Sequence, residues 1–117
     1  MNSPRRILVV EDEPLISMML EDFLGLLGHE IAGIADCVDG ALAAVAAGGV
    51  DAAILDVNLR GGEKSWPIAD VLAKDGIPFV LATGDGGDSI AEPHRERPTL
   101  TKPFTMDSVK QALDELR

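Results

Sequence analysis

The stretch ILVVEDEP, residues 7–14, runs four apolar residues straight into three acids and a proline. With Arg6 ahead of it, RILVV (6–10) is a β-branched run without polar alternation, the pattern of a strand buried on both faces. Pro14 suits the first turn of a helix. Ile16, Met19, Leu20, Phe23, Leu24 and Leu27 then recur at helical spacing, and Gly28 is placed to end the helix in a left-handed conformation. A buried strand that turns at once into an amphipathic helix opens a parallel β-α-β unit. Glu11, Asp12 and Glu13 repel one another at the strand tip. A bound cation or a helix N-terminus must offset that repulsion.

The alternation continues along the chain. EIAGIA (30–35) reads as a weaker strand at a sheet edge. Asp36 is placed to cap a helix carrying Val38, Ala41, Leu42 and Val45, closed by Gly48 and Gly49. VDAAILDV (50–57) is a third strand with Asp56 at its end, and NLRGGEKSWP is a loop. Ser65 is placed to cap a helix through Ile68, Val71 and Leu72 that stops near Gly76. IPFVLA (77–82) is a fourth strand, and residues 83–98, polar and rich in glycine and proline, leave room only for a short helix. TLT (99–101) is a fifth strand, after which Thr105 caps a last helix with Met106, Val109, Leu113 and Leu116 turned inward. Strands alternating with helices predict an α/β fold: a doubly wound, five-stranded parallel sheet of order 2-1-3-4-5.

The bulk numbers set limits. A chain of 117 residues fits one domain, 1–117, around one core. No apolar run approaches the ~20 residues needed to span a bilayer, and MNSPRR leads into a strand rather than a signal sequence. A single cysteine, Cys37, excludes an internal disulfide and fits a reducing cytoplasm. A net charge of −10 repels phosphate backbones and argues against nucleic acid as a partner.

In open α/β sheets, ligands bind beyond the carboxyl ends of the strands, at the topological switch point. Glu11 and Asp12 follow the first strand, Asp56 the third, Thr83 the fourth and Lys102 the fifth. The first and third strands are neighbours about 4.8 Å apart in this order, so Asp12 and Asp56 come within reach of one ion. Magnesium suits them: it takes oxygen ligands, keeps several waters and commonly bridges one or two carboxylates to phosphate. Zinc would require histidine or cysteine, and His29, His94 and Cys37 lie away from the strand ends. Lys102 offers a point charge to a phosphoryl oxygen, and Thr83 offers a hydroxyl. Asp56 is then the candidate nucleophile, since carboxylates form aspartyl-phosphates.

ILVVEDE, ILDVNL, LATG and TKPF, in this order and spacing, resemble the receiver domains of two-component response regulators, with the flavodoxin-like receiver fold. The resemblance covers essentially the whole chain. It implies that Asp56 accepts phosphate from a histidine kinase or histidine phosphotransfer protein. It implies Asp12 and Asp56 as Mg2+ ligands, with Glu11 acting through water and the Asn58 backbone carbonyl completing the set. Thr83 would be the switch hydroxyl, and Lys102 would contact the phosphoryl group across a cis peptide to Pro103. Arg60 stands where common receivers have proline, and Thr99 where they have a switch aromatic. VNLRGG and LATGDG resemble the FAT GUY receivers, with Leu81 in place of that motif's Phe and Gly86 in place of its Tyr. A signalling module rather than an enzyme is implied, cytoplasmic, as a monomer or weak dimer, with phosphorylation changing the face formed by 83–102. With Thr99 too small to swing like an aromatic, the segment from 84 to 97 is expected to become ordered on phosphorylation.

Other readings exist for the same residues. The acids after the first strand also suit a helix N-terminus, Asp56 a turn, Lys102 a solvated surface, and Trp66 packing over its loop. A haloacid-dehalogenase-like phosphatase uses a similar set but requires a second aspartate two residues after the nucleophile, where this chain has Asn58. A flavodoxin-like FMN binder needs a phosphate-cradling loop where this chain has three acids. A degenerate receiver would not keep the acids. Met1 and the helix ending at Arg117 favour a stand-alone regulator; a receiver from a larger hybrid kinase or multidomain regulator is the alternative.

Overall fold

The structure is a computed structural model and describes residues 5–84, 97–102 and 104–116, apart from the Arg60 side chain. The short helix expected within 83–98, the readout assigned to 84–97, His94, Gly86 and the Lys102–Pro103 peptide therefore fall wholly or mostly outside the described residues. The elements run β1 (Arg6–Val10), α1 (Pro14–Leu26), β2 (Glu30–Ala35), α2 (Val38–Ala47), β3 (Ala52–Asp56), a 3-10 turn (Arg60–Gly62), α3 (Trp66–Lys74), β4 (Phe79–Thr83), β5 (Thr99–Thr101) and α4 (Met106–Asp114). All strand pairs are parallel, in the order β2-β1-β3-β4-β5.

Alternation within the three central strands divides the core. Leu8, Val10, Leu55, Phe79 and Leu81 face α2 and α3, where Ala41, Val45, Ile68 and Leu72 meet them. Ile7, Val9, Ile54 and Val80 face α1 and α4, against Leu20, Leu24, Val109 and Leu113. Each fully buried Leu or Ile contributes about 1.5–3 kcal/mol, so apolar runs that waste no position on solvent hold the sheet between its helices. Both faces being covered, the only part of the central strands open to chemistry is their ends.

Several local expectations are corrected. The N-cap of α2 is Cys37, not Asp36: Cys37 has extended backbone, φ −150° and ψ 166°, and its Sγ accepts from Gly40 N–H at 3.4 Å. Ser65 occupies the N-cap position of α3 but makes no capping bond, and its buried Oγ has no partner. Its ψ of 7° departs from the extended backbone that aims a capping oxygen at the first turn. Met106 is 37% exposed rather than inward, and Ala112 takes the buried place on α4. Thr105 does cap that helix, in a reciprocal box with Ser108. Gly28, at φ 90°, follows the end of α1 as its position predicts. Trp66 is half-buried and packs against the α2/α3 core.

Candidate functional site

The strand register builds the site. Val10 pairs with Ala35 on one side and Leu55 on the other, so the residues that follow Val10 and Leu55 emerge side by side. Those residues are Glu11 and Asp56. Alternation continues the rows Ile7–Val9–Glu11 and Ala52–Ile54–Asp56, which points both acids toward the α1/α4 side of the sheet. Asp12, one residue on, reaches the same place from the turn into α1. One carboxylate oxygen from each of Glu11, Asp12 and Asp56 lies within 4.8 Å of the others.

Lys102 enters from the far edge. Its backbone N–H donates to Thr83 carbonyl oxygen at 2.9 Å, joining the ends of β4 and β5. Its Nζ donates to Asp56 Oδ2 at 2.9 Å and lies 3.1 Å from Glu11 Oε1. Glu11 and Asp56 are 3% and 5% exposed. Glu11 Oε2 accepts from Glu13 N–H at 3.1 Å, whereas buried Oε1 meets no donor in hydrogen-bonding geometry. Its contact with Lys102 is therefore an ion pair without a well-aligned bond.

The electrostatics follow. Burial pushes the Glu11 carboxyl up to about 7; the charge of Asp56 adds to the rise, while the Glu13 N–H and Lys102 oppose it. Burial works to lower the pKa of the Lys102 ammonium, but the hydrogen bond and charge of Asp56, joined by Glu11, hold it above its ordinary value. Glu11 and Asp56 thus share one lysine, with the Asp12 carboxylate beside them. Two nearly buried carboxylates with a third beside them make an all-oxygen donor set that fits a hard metal ion, and among the described residues neither histidine nor cysteine joins it. A cleft of about 300 Å³ lined by Glu11, Asp12, Pro14, Ser17, Ile34 and Asp36 leaves room beside the acids for waters.

Of the residues expected from sequence, the structure gathers Glu11, Asp12, Asp56 and Lys102 through side chains. Thr83, 1% exposed, joins them through its carbonyl bond to Lys102. Asn58 lies beside Asp56, its N–H 3.3 Å from Asp56 Oδ1. The sequence brings Glu11 and Lys102 to one edge as strand-end residues, and the structure pairs them directly. Glu63 and Lys64, in the loop after β3, carry no motif in the sequence; Glu63 Oε1 accepts from Val38 N–H, and the Lys64 ammonium bonds the Asn58 side chain beside the site.

No protein-family model matches the chain. Solved structures do. SdrG from Sphingomonas melonis Fr1 is 60% identical, with 97% of each chain covered and a TM-score of 0.88. The PhyR response regulator REC domain of Erythrobacter litoralis is 34% identical over 98% of this chain and 94% of its own, with a TM-score of 0.79. The chain belongs to the response-regulator receiver family. The likeness of this receiver to SdrG and PhyR agrees with the FAT GUY features of its VNLRGG and LATGDG segments. Among curated proteins, the transcriptional regulatory protein TcrA of Mycobacterium tuberculosis is 35% identical over 89% of the receiver. The receiver spans only 42% of TcrA's length. No helix among the described residues is long and apolar enough to cross a membrane.

Proposed function

We propose that the whole chain, 1–117, is a phosphoryl-accepting receiver in which Asp56 takes a phosphoryl group from a phosphohistidine. The donor is a histidine kinase or a histidine phosphotransfer protein. Mg2+ would be held by Asp12, Asp56, the Asn58 backbone carbonyl and, through water, Glu11. One observation carries the reading: Lys102 lies against both Asp56 and Glu11, two nearly buried acids whose carboxylate oxygens lie within 4.8 Å of a third from Asp12. Such a cluster is costly unless a cation joins it, and the same lysine is placed to meet an anion built on Asp56.

The step balances simply. An Asp56 carboxylate oxygen forms a P–O bond as the P–N bond to imidazole breaks, and the electron pair leaves on the imidazole nitrogen. Lys102 moves its contact from the carboxylate to a phosphoryl oxygen, and the Thr83 hydroxyl donates to another. The metal, when bound, supplies positive charge against the phosphoryl oxygens. The group stays on Asp56 until it is hydrolysed or passed on, so the chain acts as a signalling module rather than a turnover enzyme. Phosphorylation would be read on the face formed by 83–102, in the cytoplasm, by a protein partner and not by nucleic acid or membrane, with the chain as a monomer or weak dimer. Residence within a larger regulator is the second reading, favoured by the limited share of TcrA that the chain spans.

Acetyl phosphate with Mg2+ should add one phosphoryl group, read by intact mass, and Asp56→Asn should accept none. Label that persists in Asp56→Asn would move the acceptor elsewhere.

A further inference from the structure

Residues 57–65, between β3 and α3, close on themselves as a small hairpin. Leu59 N–H donates to Glu63 carbonyl oxygen at 2.7 Å, and Ser65 N–H donates to Val57 carbonyl oxygen at 3.1 Å. Asn58 and Lys64 face one another between these two bonds as an antiparallel bridge. Gly61 and Gly62, both at positive φ (74° and 79°), turn the tip. In an antiparallel pair flanked in this way, the N–H and carbonyl of each residue point out of the hairpin. For Asn58 the outward N–H meets Asp56 Oδ1 at 3.3 Å. The Asn58 carbonyl shares that edge, so the hairpin aims it toward the acids. The Lys64 ammonium hydrogen-bonds the Asn58 side chain, which holds the hairpin together from within.

One bond reaches outward from the hairpin's second strand. Glu63 Oε1 accepts from Val38 N–H at 2.9 Å, across 25 residues. Val38 is the first residue of α2, whose N-cap Cys37 accepts from Gly40 N–H through its thiol. A carboxylate there complements the helix dipole and binds an N–H that the helix itself cannot use. The same residue therefore ties α2 to the strand that sets the direction of Asn58.

We propose that Glu63 is a positioning residue for the metal site: its bond to Val38 N–H anchors the 57–65 hairpin and so holds the Asn58 carbonyl in ligating position. The inference rests on the Mg2+ reading above. Buried Leu59 offers a rival account, in which the first strand of the hairpin is fixed by the core alone and Glu63 is dispensable. The two differ in what the loss of Glu63 does to metal affinity.

The test titrates Mg2+ into the full chain and follows backbone amide shifts by NMR. Glu63→Ala should weaken Mg2+ binding about tenfold, the low end for a group that orients a metal ligand. Glu63→Gln keeps an acceptor for Val38 N–H and should stay within about twofold of wild type, because the effect travels through geometry. Unchanged affinity in Glu63→Ala overturns the proposal. So does a Glu63→Gln as weak as Glu63→Ala, since loss of charge alone would then account for both. Linkage supplies a check without variants: Mg2+ must slow hydrogen exchange at Val38 N–H in the wild-type chain, and unchanged exchange contradicts the coupling. A wild type that binds no Mg2+, with Asp12→Asn no different, would defeat the metal reading itself and is told apart by that control.

Discussion

At the amino edge of the sheet, Arg6 donates its backbone N–H to Asp51 Oδ2 at 2.9 Å and its Nε to Gly49 carbonyl oxygen at 2.9 Å, and lies 3.6 Å from Glu30. Arg5 donates to Leu113 carbonyl oxygen through its guanidinium and to His29 Nδ1 through its N–H. The Arg6 guanidinium and Glu30 there stand largely in solvent. At the carboxyl edge, the nearly buried Glu11 and Asp56 meet one lysine, and the Asp12 carboxylate lies within 4.8 Å of theirs. A structural role explains the first arrangement. The second would be a poor way to stabilise a fold, because buried like charges cost more than exposed ones. The edge that tolerates an imbalance is the one where a ligand can correct it.

The largest test of this contrast is Lys102→Met. Without divalent ions at pH 7 it should lower stability by about 2–3 kcal/mol in urea denaturation, somewhat less than a fully buried pair because Lys102 is 22% exposed. Saturating Mg2+ should recover much of that loss. Arg6→Ala should cost less than about 1 kcal/mol, because its ion pair is exposed, and Mg2+ should not change it. Equal losses, or equal responses to Mg2+, would break the comparison.

The smallest effects have opposite signs with pH. Glu11 has a raised pKa, so its contribution is fully present below the unfolded value of 4.5 and is lost as pH rises through about 7. Stability in EDTA should therefore fall over that window at the carboxyl edge, and Glu11→Gln should flatten the decline. His29 has a lowered pKa, chiefly from burial and also from the charge of Arg5. Its neutral Nδ1 accepts from Arg5 N–H, so its contribution is present above 6.5 and is lost as pH falls below that value. His29→Gln should remove the acid-side loss alone. Thermal melts across pH in the two variants check both signs.

What could be read in advance follows the range of the interactions. ILVV in β1 and AAIL in β3 are continuous apolar runs, and continuous burial has a sequence pattern, so the strands, their order and the convergence of Glu11, Asp12, Asp56 and Lys102 were legible. Caps were less so. Asp36 is the better capping residue by chemistry, yet the chain leaves β2 in a path that gives Cys37 the extended backbone, and position wins over propensity. The burial of Glu11 against Lys102 and the reach of Glu63 to Val38 depend on where three separate loops stop. No local pattern encodes such distances.

The claim that the carboxyl edge is built to receive a cation is tested most directly by thermal melting of the wild type and Asp12→Asn with and without Mg2+ at pH 7. Binding to the native state should raise the wild-type midpoint by about 5–10 °C at roughly a hundred times the dissociation constant, and Asp12→Asn should lose most of that rise. An equal rise in both proteins, or none in the wild type, would contradict it.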